Sequence, residues 1–214
     1  MEKEKEPPMI DYVIFDFGRV IVDFDETKMT RAYVKDEALV PLVRDTVFDR
    51  KYWDLLDLGT ISDDEVKAGI ASRLSEPLTC AAYDVYDNWI AHVDILDGIE
   101  DAILTAKARA KGIYLLSNIS PQFVENYHRH PTLARILSHF DGLVFSGVLH
   151  MVKPDARIFN YLLDTYGVPP EKALFIDDSQ KNIDGARAVG IQTYLFDGDT
   201  QKLKNFLEKN VGPF

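Results

Sequence analysis

Four short apolar runs in the second half of the chain, each closed by turn or polar residues and separated by helical periods, constrain the fold most tightly. They are "GIYLLSN" (112–118), "DGLVFSG" (141–147), "KALFIDD" (172–178) and "IQTYLFD" (191–197). Continuous apolar runs of this length suit strands covered on both faces. Helical patterns lie between them. In "PDARIFNYLLDTYG", Ile158, Phe159, Leu162, Leu163 and Tyr166 share one face, and Gly167 followed by Pro169 supplies a stop. "QKNIDGARAVG" repeats the form and ends at Gly190. Strand–helix alternation predicts an α/β fold, a doubly wound parallel (Rossmann-like) sheet. Such sheets bind ligands at the carboxyl ends of their strands, near a switch in strand order.

An earlier run, "IFDFGRVIVDFD" (14–25), reads as the first strand of the same sheet, stopping at Asp16. About 100 residues then separate Asp16 from Ser117, far more than the dozen or so that a crossover helix needs. Residues 27–92 carry no strand pattern. "ISDDEVKAGIASRLS" opens on a capping box, Ser62 with Glu65, and Val66, Ile70 and Leu74 recur every four residues. Ala82, Val85, Trp89 and Val93 repeat the spacing. The expectation is an all-helical cap over 27–92, inserted after the first strand of a core formed by 9–26 and 93–214. Residues 1–8, "MEKEKEPP", read as a frayed, solvated leader.

With 46% hydrophobic residues in 214, the chain can bury a large core. Lys and Arg number 24 against 35 Asp and Glu, a formal charge of −11. That sign disfavours nucleic acid and anionic membrane surfaces as partners. The single cysteine, Cys80, excludes an internal disulfide and fits a reducing compartment. No apolar stretch approaches the roughly 20 residues that span a bilayer. A cytoplasmic location is expected, as monomer or homodimer. His128 and His130, two residues apart on an expected helix, do not face one ligand. Trp53, Trp89, Tyr83 and Tyr86 read as cap core, some of them able to line a pocket beneath it. Neither a dinucleotide fingerprint nor a P-loop is present.

Asp16 ends the first strand, Ser117–Asn118 the next, Lys153 precedes Pro154 and a helix, and Asp177–Asp178 end a later strand. Taken singly, these are ordinary turn, cap and surface residues. In series, "DFG", "LLSN", "VKPDARIF" and "FIDDSQKN" resemble the four motifs of the haloacid dehalogenase superfamily, in the branch whose helical cap follows the first motif. Within it the chain is most similar to alpha-glucose-1-phosphate phosphatase-like and epoxide-hydrolase N-terminal phosphatase-like members. The resemblance implies an Mg²⁺-dependent phosphatase acting on a small phosphorylated metabolite such as a sugar phosphate. Asp16 would attack phosphorus and form an aspartyl-phosphate. Asp16, Asp178 and the Gly18 carbonyl would hold the metal, with Asp177 and Asn182 behind them, Asn182 steadying Asp178. Ser117, the Asn118 N–H and Lys153 would hold phosphate, and Arg19 either reaches the substrate or pairs with Asp23 or Asp25. Three carboxylates against one ammonium leave the site at −2, so a divalent cation is needed before it accepts a phosphate dianion.

Gly18 departs from the pattern. Phosphatases of this plan carry there a second Asp, the general acid/base, which is worth about 10²–10⁴ in rate. Its role would pass to another carboxylate, such as Asp23, Asp25 or an acid of the cap, or matter less for an activated ester such as an anomeric sugar phosphate. A 2-haloacid dehalogenase and a phospho-ligand binder without turnover are the alternative readings, and a phosphosugar mutase a weaker third.

Overall fold

The computed structural model describes residues 9–212; the leader expected over 1–8 lies outside them. The chain opens with β1 (Tyr12–Phe15) and β2 (Val22–Asp23). Five helices follow: α1 (Glu26–Arg31), α2 (Val40–Val47), α3 (Arg50–Leu58), α4 (Asp63–Ala71) and α5 (Leu78–Asn88). Then come β3 (Asp94–Ile95), α6 (Ile99–Arg109), β4 (Gly112–Ser117), α7 (Pro121–Asn126), α8 (Pro131–Leu137) and β5 (Gly142–Phe145). The chain ends with α9 (Ser146–Leu149), α10 (Ala156–Tyr166), β6 (Ala173–Asp177), α11 (Gln180–Ala188), β7 (Gln192–Leu195) and α12 (Thr200–Asn210).

Five strands form one parallel sheet in the order β5-β4-β1-β6-β7. The chain leaves β1 toward β4 and β5, then returns to its other side for β6 and β7. The order therefore reverses at β1, where a crevice opens at the carboxyl ends of the strands. Alternate residues bury into opposite layers, as the period of two requires. Val13 and Phe15 of β1, Leu115 of β4 and Ile176 of β6 face one cluster, while Ile14, Leu116 and Phe175 face the other, against Ile158, Phe159 and Leu162 of α10. The doubly wound reading of the sequence is what the fold shows. β7 differs from the expected double cover: it is an edge strand, and its residues are only partly buried.

The helices α1–α5 stand between β2 and β3, which pair antiparallel through Val22–Ile95 and Asp23–Asp94. Two residues per strand are too few to leave a period, so this ribbon has no sequence signature. The capping box forms as read: Ser62 Oγ accepts from the Glu65 N–H, and the Glu65 carboxylate accepts from the Ser62 N–H at 2.9 Å. Val66 and Ile70 of α4, Val85 and Tyr86 of α5 and Trp53 of α3 are buried. The same cluster continues into the sheet. Ring centroids of Phe24, Trp53 and Trp89 lie 5.4–5.6 Å apart, Trp89 stacks on Phe123 at 6.0 Å, and Phe123 meets Phe17 at 4.8 Å. Burying each such ring is worth about 1.5–3 kcal/mol, so this aromatic column helps to hold the helices against the sheet edge. His128 falls in a 3₁₀ turn rather than the expected helix, and His130 caps α8, its Nδ1 accepting from the Leu133 N–H. Among the described residues no helix is long and apolar enough to cross a membrane.

Candidate active site at the carboxyl edge of the sheet

Asp16 follows β1 directly, Ser117 closes β4 and Asp177 closes β6. Three adjacent parallel strands thus deliver their end residues to one place, and Asp178 follows one residue on. One carboxylate oxygen from each of Asp16, Asp177 and Asp178 lies within 4.8 Å of the other two. Lys153, on the loop before α10, fills the gap beneath them. Its Nζ donates to Asp16 Oδ1 at 2.5 Å and to Asp177 Oδ2 at 2.9 Å, and its side chain is 1% exposed.

This is a buried and electrically strained cluster. Burial pushes the Asp16 carboxyl up to about 7, against the pull of Lys153 and with a further push from Asp177. Burial acts to lower Lys153, but the two carboxylates outweigh it and hold the ammonium above its ordinary value. Asp178 is raised by burial and by Asp177, and Arg19 opposes the shift.

Hydrogen bonds sort the three acids. Asp177 Oδ1 accepts from the Ser179 N–H at 2.8 Å, Oδ2 accepts from Lys153, and Asn182 Nδ2 lies 3.1 Å from both oxygens. An ionised carboxylate has about four acceptor positions, and those of Asp177 are taken. Among the described residues no other side chain hydrogen-bonds the Asp178 carboxylate, which accepts only from its own N–H; Asp16 accepts from the Phe17 N–H as well and keeps Oδ2 clear of Lys153. Asp16 and Asp178 are therefore the acids with capacity for a cation, and the hard oxygen donor set suits Mg²⁺. Asn182 departs from expectation: its amide holds Asp177, not Asp178. The four-residue spacing carried weight only inside a helix, and α11 begins at Gln180.

The residues at the end of β4 are fixed as firmly. Asn118 Nδ2 donates to the Lys153 carbonyl at 3.0 Å, and Asn118 Oδ1 accepts from the Lys153 N–H at 2.8 Å. That two-way clamp consumes the Asn118 side chain, leaving its backbone N–H for any ligand. Ser117 is buried at the strand end.

Above the cluster lies a cavity of about 380 Å³, lined by Gly18, Ser117, Asn118 and Asp178 from the core and by Trp53, Asp57 and Arg50 from α3. Arg19, Phe24, Glu26 and Trp89 also reach it. Trp53 and Trp89 thus serve both cap core and pocket wall. Arg19 sits in a left-handed conformation (φ 58°), exposed at the mouth, and forms no ion pair among the described residues. Asp23 and Asp25 belong to a neighbouring depression instead, and Asp25 caps α1 by accepting from the Lys28 N–H. The turn after β1 runs from the Arg19 N–H to the Val22 carbonyl and from the Val22 N–H to the Phe17 carbonyl, leaving the Gly18 carbonyl outside it. A Cβ at Gly18 would meet nothing within 4 Å, so the backbone does not demand glycine there.

Sequence reasoning missed Asp57, Arg50 and Glu26 as pocket residues. One signal was available for Asp57: an acid in the last turn of a helix opposes the helix dipole.

Fold and site together define a hydrolase-type α/β enzyme working at the carboxyl edge of a parallel sheet. The family model for haloacid dehalogenase-like hydrolases matches residues 10–190, and the chain belongs to that family. It is 28% identical over 194 residues to a D-ribitol-5-phosphate phosphatase from Bacteroides thetaiotaomicron, covering 87% of this chain and 91% of that protein. It is also 28% identical over 198 residues to a drimenol cyclase from Aspergillus calidoustus, covering 88% of this chain and 34% of that longer protein. Among solved structures it superposes on a family enzyme from Bacteroides thetaiotaomicron complexed with magnesium and inorganic phosphate. There the TM-score is 0.65 at 20% identity, over 86% of this chain and 93% of that one.

Proposed function

We propose that the protein is an Mg²⁺-dependent phosphomonoesterase acting on a small sugar or polyol phosphate through an aspartyl-phosphate on Asp16. The observation that carries this is the convergence of Asp16, Asp177, Asp178 and Lys153 beneath one cavity. Asp16 sets its carboxylate beside that of Asp178, which lines a pocket that otherwise repels anions. A nucleophile requires that charge beside the bound ester. Asp16, Asp178 and the Gly18 carbonyl are the groups that would hold Mg²⁺. The bound ion would supply the positive charge that lets a phosphate dianion enter. Lys153 orients Asp16, and Ser117 with the Asn118 N–H receives phosphate oxygens. The relatives' names support phosphomonoester chemistry, and the magnesium and phosphate bound to the structural neighbour support the metal.

The cavity supports a small polar substrate. Its volume falls within the usual 300–1,000 Å³ of metabolite sites. Its lining combines aromatic rings (Phe24, Trp53, Trp89) with charged groups (Arg19, Arg50, Glu26), a mixture that suits the apolar faces and hydroxyls of a sugar. Residues 27–92 would act as a lid that excludes bulk water during reaction.

The test is phosphate release from a panel of sugar and polyol phosphates, anomeric esters such as glucose 1-phosphate included, with Mg²⁺ and with chelator. Release that needs Mg²⁺ and disappears in Asp16→Asn is expected. Halide release from 2-chloropropionate in chelator, with no phosphate release in Mg²⁺, would overturn the reading in favour of a dehalogenase.

A further inference from the structure

Expelling an alkoxide from phosphorus requires a proton donor, and hydrolysing the resulting aspartyl-phosphate requires a proton acceptor for water. Gly18 offers neither. Resting on the phosphatase reading above, we propose that Asp57, on the last turn of α3, is the catalytic acid and base of this site. In the first step an Asp16 oxygen forms a bond to phosphorus, the bond from phosphorus to the leaving oxygen breaks, and the Asp57 proton passes to that oxygen. In the second step the Asp57 carboxylate takes a proton from water, the water oxygen bonds to phosphorus, and the Asp16–phosphorus bond breaks. Both carboxyl groups return to their starting states.

Position supports the assignment first. Asp57 lines the same cavity as Gly18, Ser117 and Asp178. Its place is fixed from the core: Ser146 Oγ donates to the Asp57 carbonyl at 2.5 Å and accepts from the Ile119 N–H at 2.8 Å. One hydroxyl thereby ties the end of α3 to the loop that follows Ser117. The His150 Nδ1 meets the Leu58 carbonyl at 3.0 Å and adds a second tie. Gly59 lets the two backbones touch, since a Cβ there would fall 1.9 Å from the Gly147 carbonyl oxygen.

Availability supports it next. Among the described residues no hydrogen bond or ion pair engages the Asp57 carboxylate, although Arg50 of its own helix is near enough to favour ionisation and Asp54 to oppose it. Lys153 favours ionisation at longer range from the core, Glu26, Arg19 and Asp178 share the pocket, and His150 faces the adjoining turn. Burial dominates and pushes the carboxyl up to about 7, so both protonation states are populated at neutral pH. Two rival acids are otherwise occupied: Asp25 caps α1, and Asp177 has no free acceptor position. Glu26 also lines the cavity and is raised by burial, but Arg19, Arg44 and Arg50 all favour its ionised form.

The test compares full-length Asp57→Asn with the unmodified protein in Mg²⁺ on two esters. One is the fastest of glucose 6-phosphate, ribose 5-phosphate and glycerol 3-phosphate; the other is 2,4-dinitrophenyl phosphate, whose leaving group needs no proton. The expected loss of kcat/KM is about 10²–10⁴-fold on the alkyl ester and less than tenfold on the dinitrophenyl ester. The unmodified protein should also lose activity on the alkyl ester as pH rises through about 7, a limb absent from Asp57→Asn. Adding Gly18→Asp to Asp57→Asn should recover alkyl turnover, because a Cβ at position 18 meets nothing within 4 Å and the position lines the same cavity. Equal losses on both esters, or no loss on either, would overturn the assignment while leaving the phosphatase reading intact. So would turnover of only the dinitrophenyl ester by the unmodified protein. If the unmodified protein hydrolyses neither, both readings fall.

Discussion

Lys153 carries the electrostatics of the site, holding two buried carboxylates with one buried ammonium. Removing one partner from a buried ion cluster costs about 3–5 kcal/mol, because the charge left behind has neither water nor counterion. Lys153→Met is expected to lose about that much stability in urea unfolding without metal, along with all phosphate release. An unchanged midpoint would contradict the cluster described here. A second acid does purely structural work at the opposite end of the sheet. Asp11, 6% exposed, accepts from Lys111 at 2.8 Å and Lys172 at 3.1 Å and so links the starts of three strands. Its carboxyl is held below the ordinary value, chiefly by the Lys111 hydrogen bond and against a smaller desolvation effect. A depressed folded value means stability that is present above the unfolded pKa, near 3.9, and lost as pH falls through the folded one. Asp11→Asn should therefore be destabilised at pH 7, with the gap to the unmodified protein closing below about pH 4. A gap that persists into acid would contradict this.

At the scale of elements, α3 matters more than its nine residues suggest. It contributes Trp53 to the aromatic column and Arg50, Trp53 and Asp57 to the cavity wall. Its C-terminal end is docked on α9 through Ser146, His150 and the close approach of Gly59 to Gly147. Gly59 also adopts φ 69°, a region in which a side chain costs roughly 1 kcal/mol before any clash is counted. Gly59→Ala is expected to lower stability by more than that amount and to depress turnover, since α3 must lift from the core. Ser62→Ala, which removes the cap of the next helix, should cost about 0.5–2 kcal/mol yet leave kcat unchanged, because α4 does not reach the cavity. Equal effects of the two substitutions on turnover would contradict the assignment of the docking role to α3.

Across the whole molecule, the sheet was legible because its central strands are buried on both faces and their apolar runs stand out. The ends of those runs, Asp16, Ser117 and Asp177, were legible as neighbours, because parallel strands bring their carboxyl ends to one edge; their reading as a candidate site came from the motif resemblance. The β2–β3 ribbon was not, being too short for any period. Asp57 and Ser146 were not, because their meeting depends on how α3 docks, a packing outcome set by Gly59, Gly147 and His150 rather than by local pattern. Asn182 was placed on the wrong neighbour because helical spacing was extended past the helix start. Trapping the covalent intermediate joins these levels. The protein is mixed with Mg²⁺ and its best sugar phosphate, quenched in acid within the first turnover, and digested for mass spectrometry. One phosphoryl group on the peptide containing Asp16, absent with chelator and in Asp16→Asn, is the expected result. Phosphate release with Asp16 never modified, or turnover surviving in Asp16→Asn, would contradict the account.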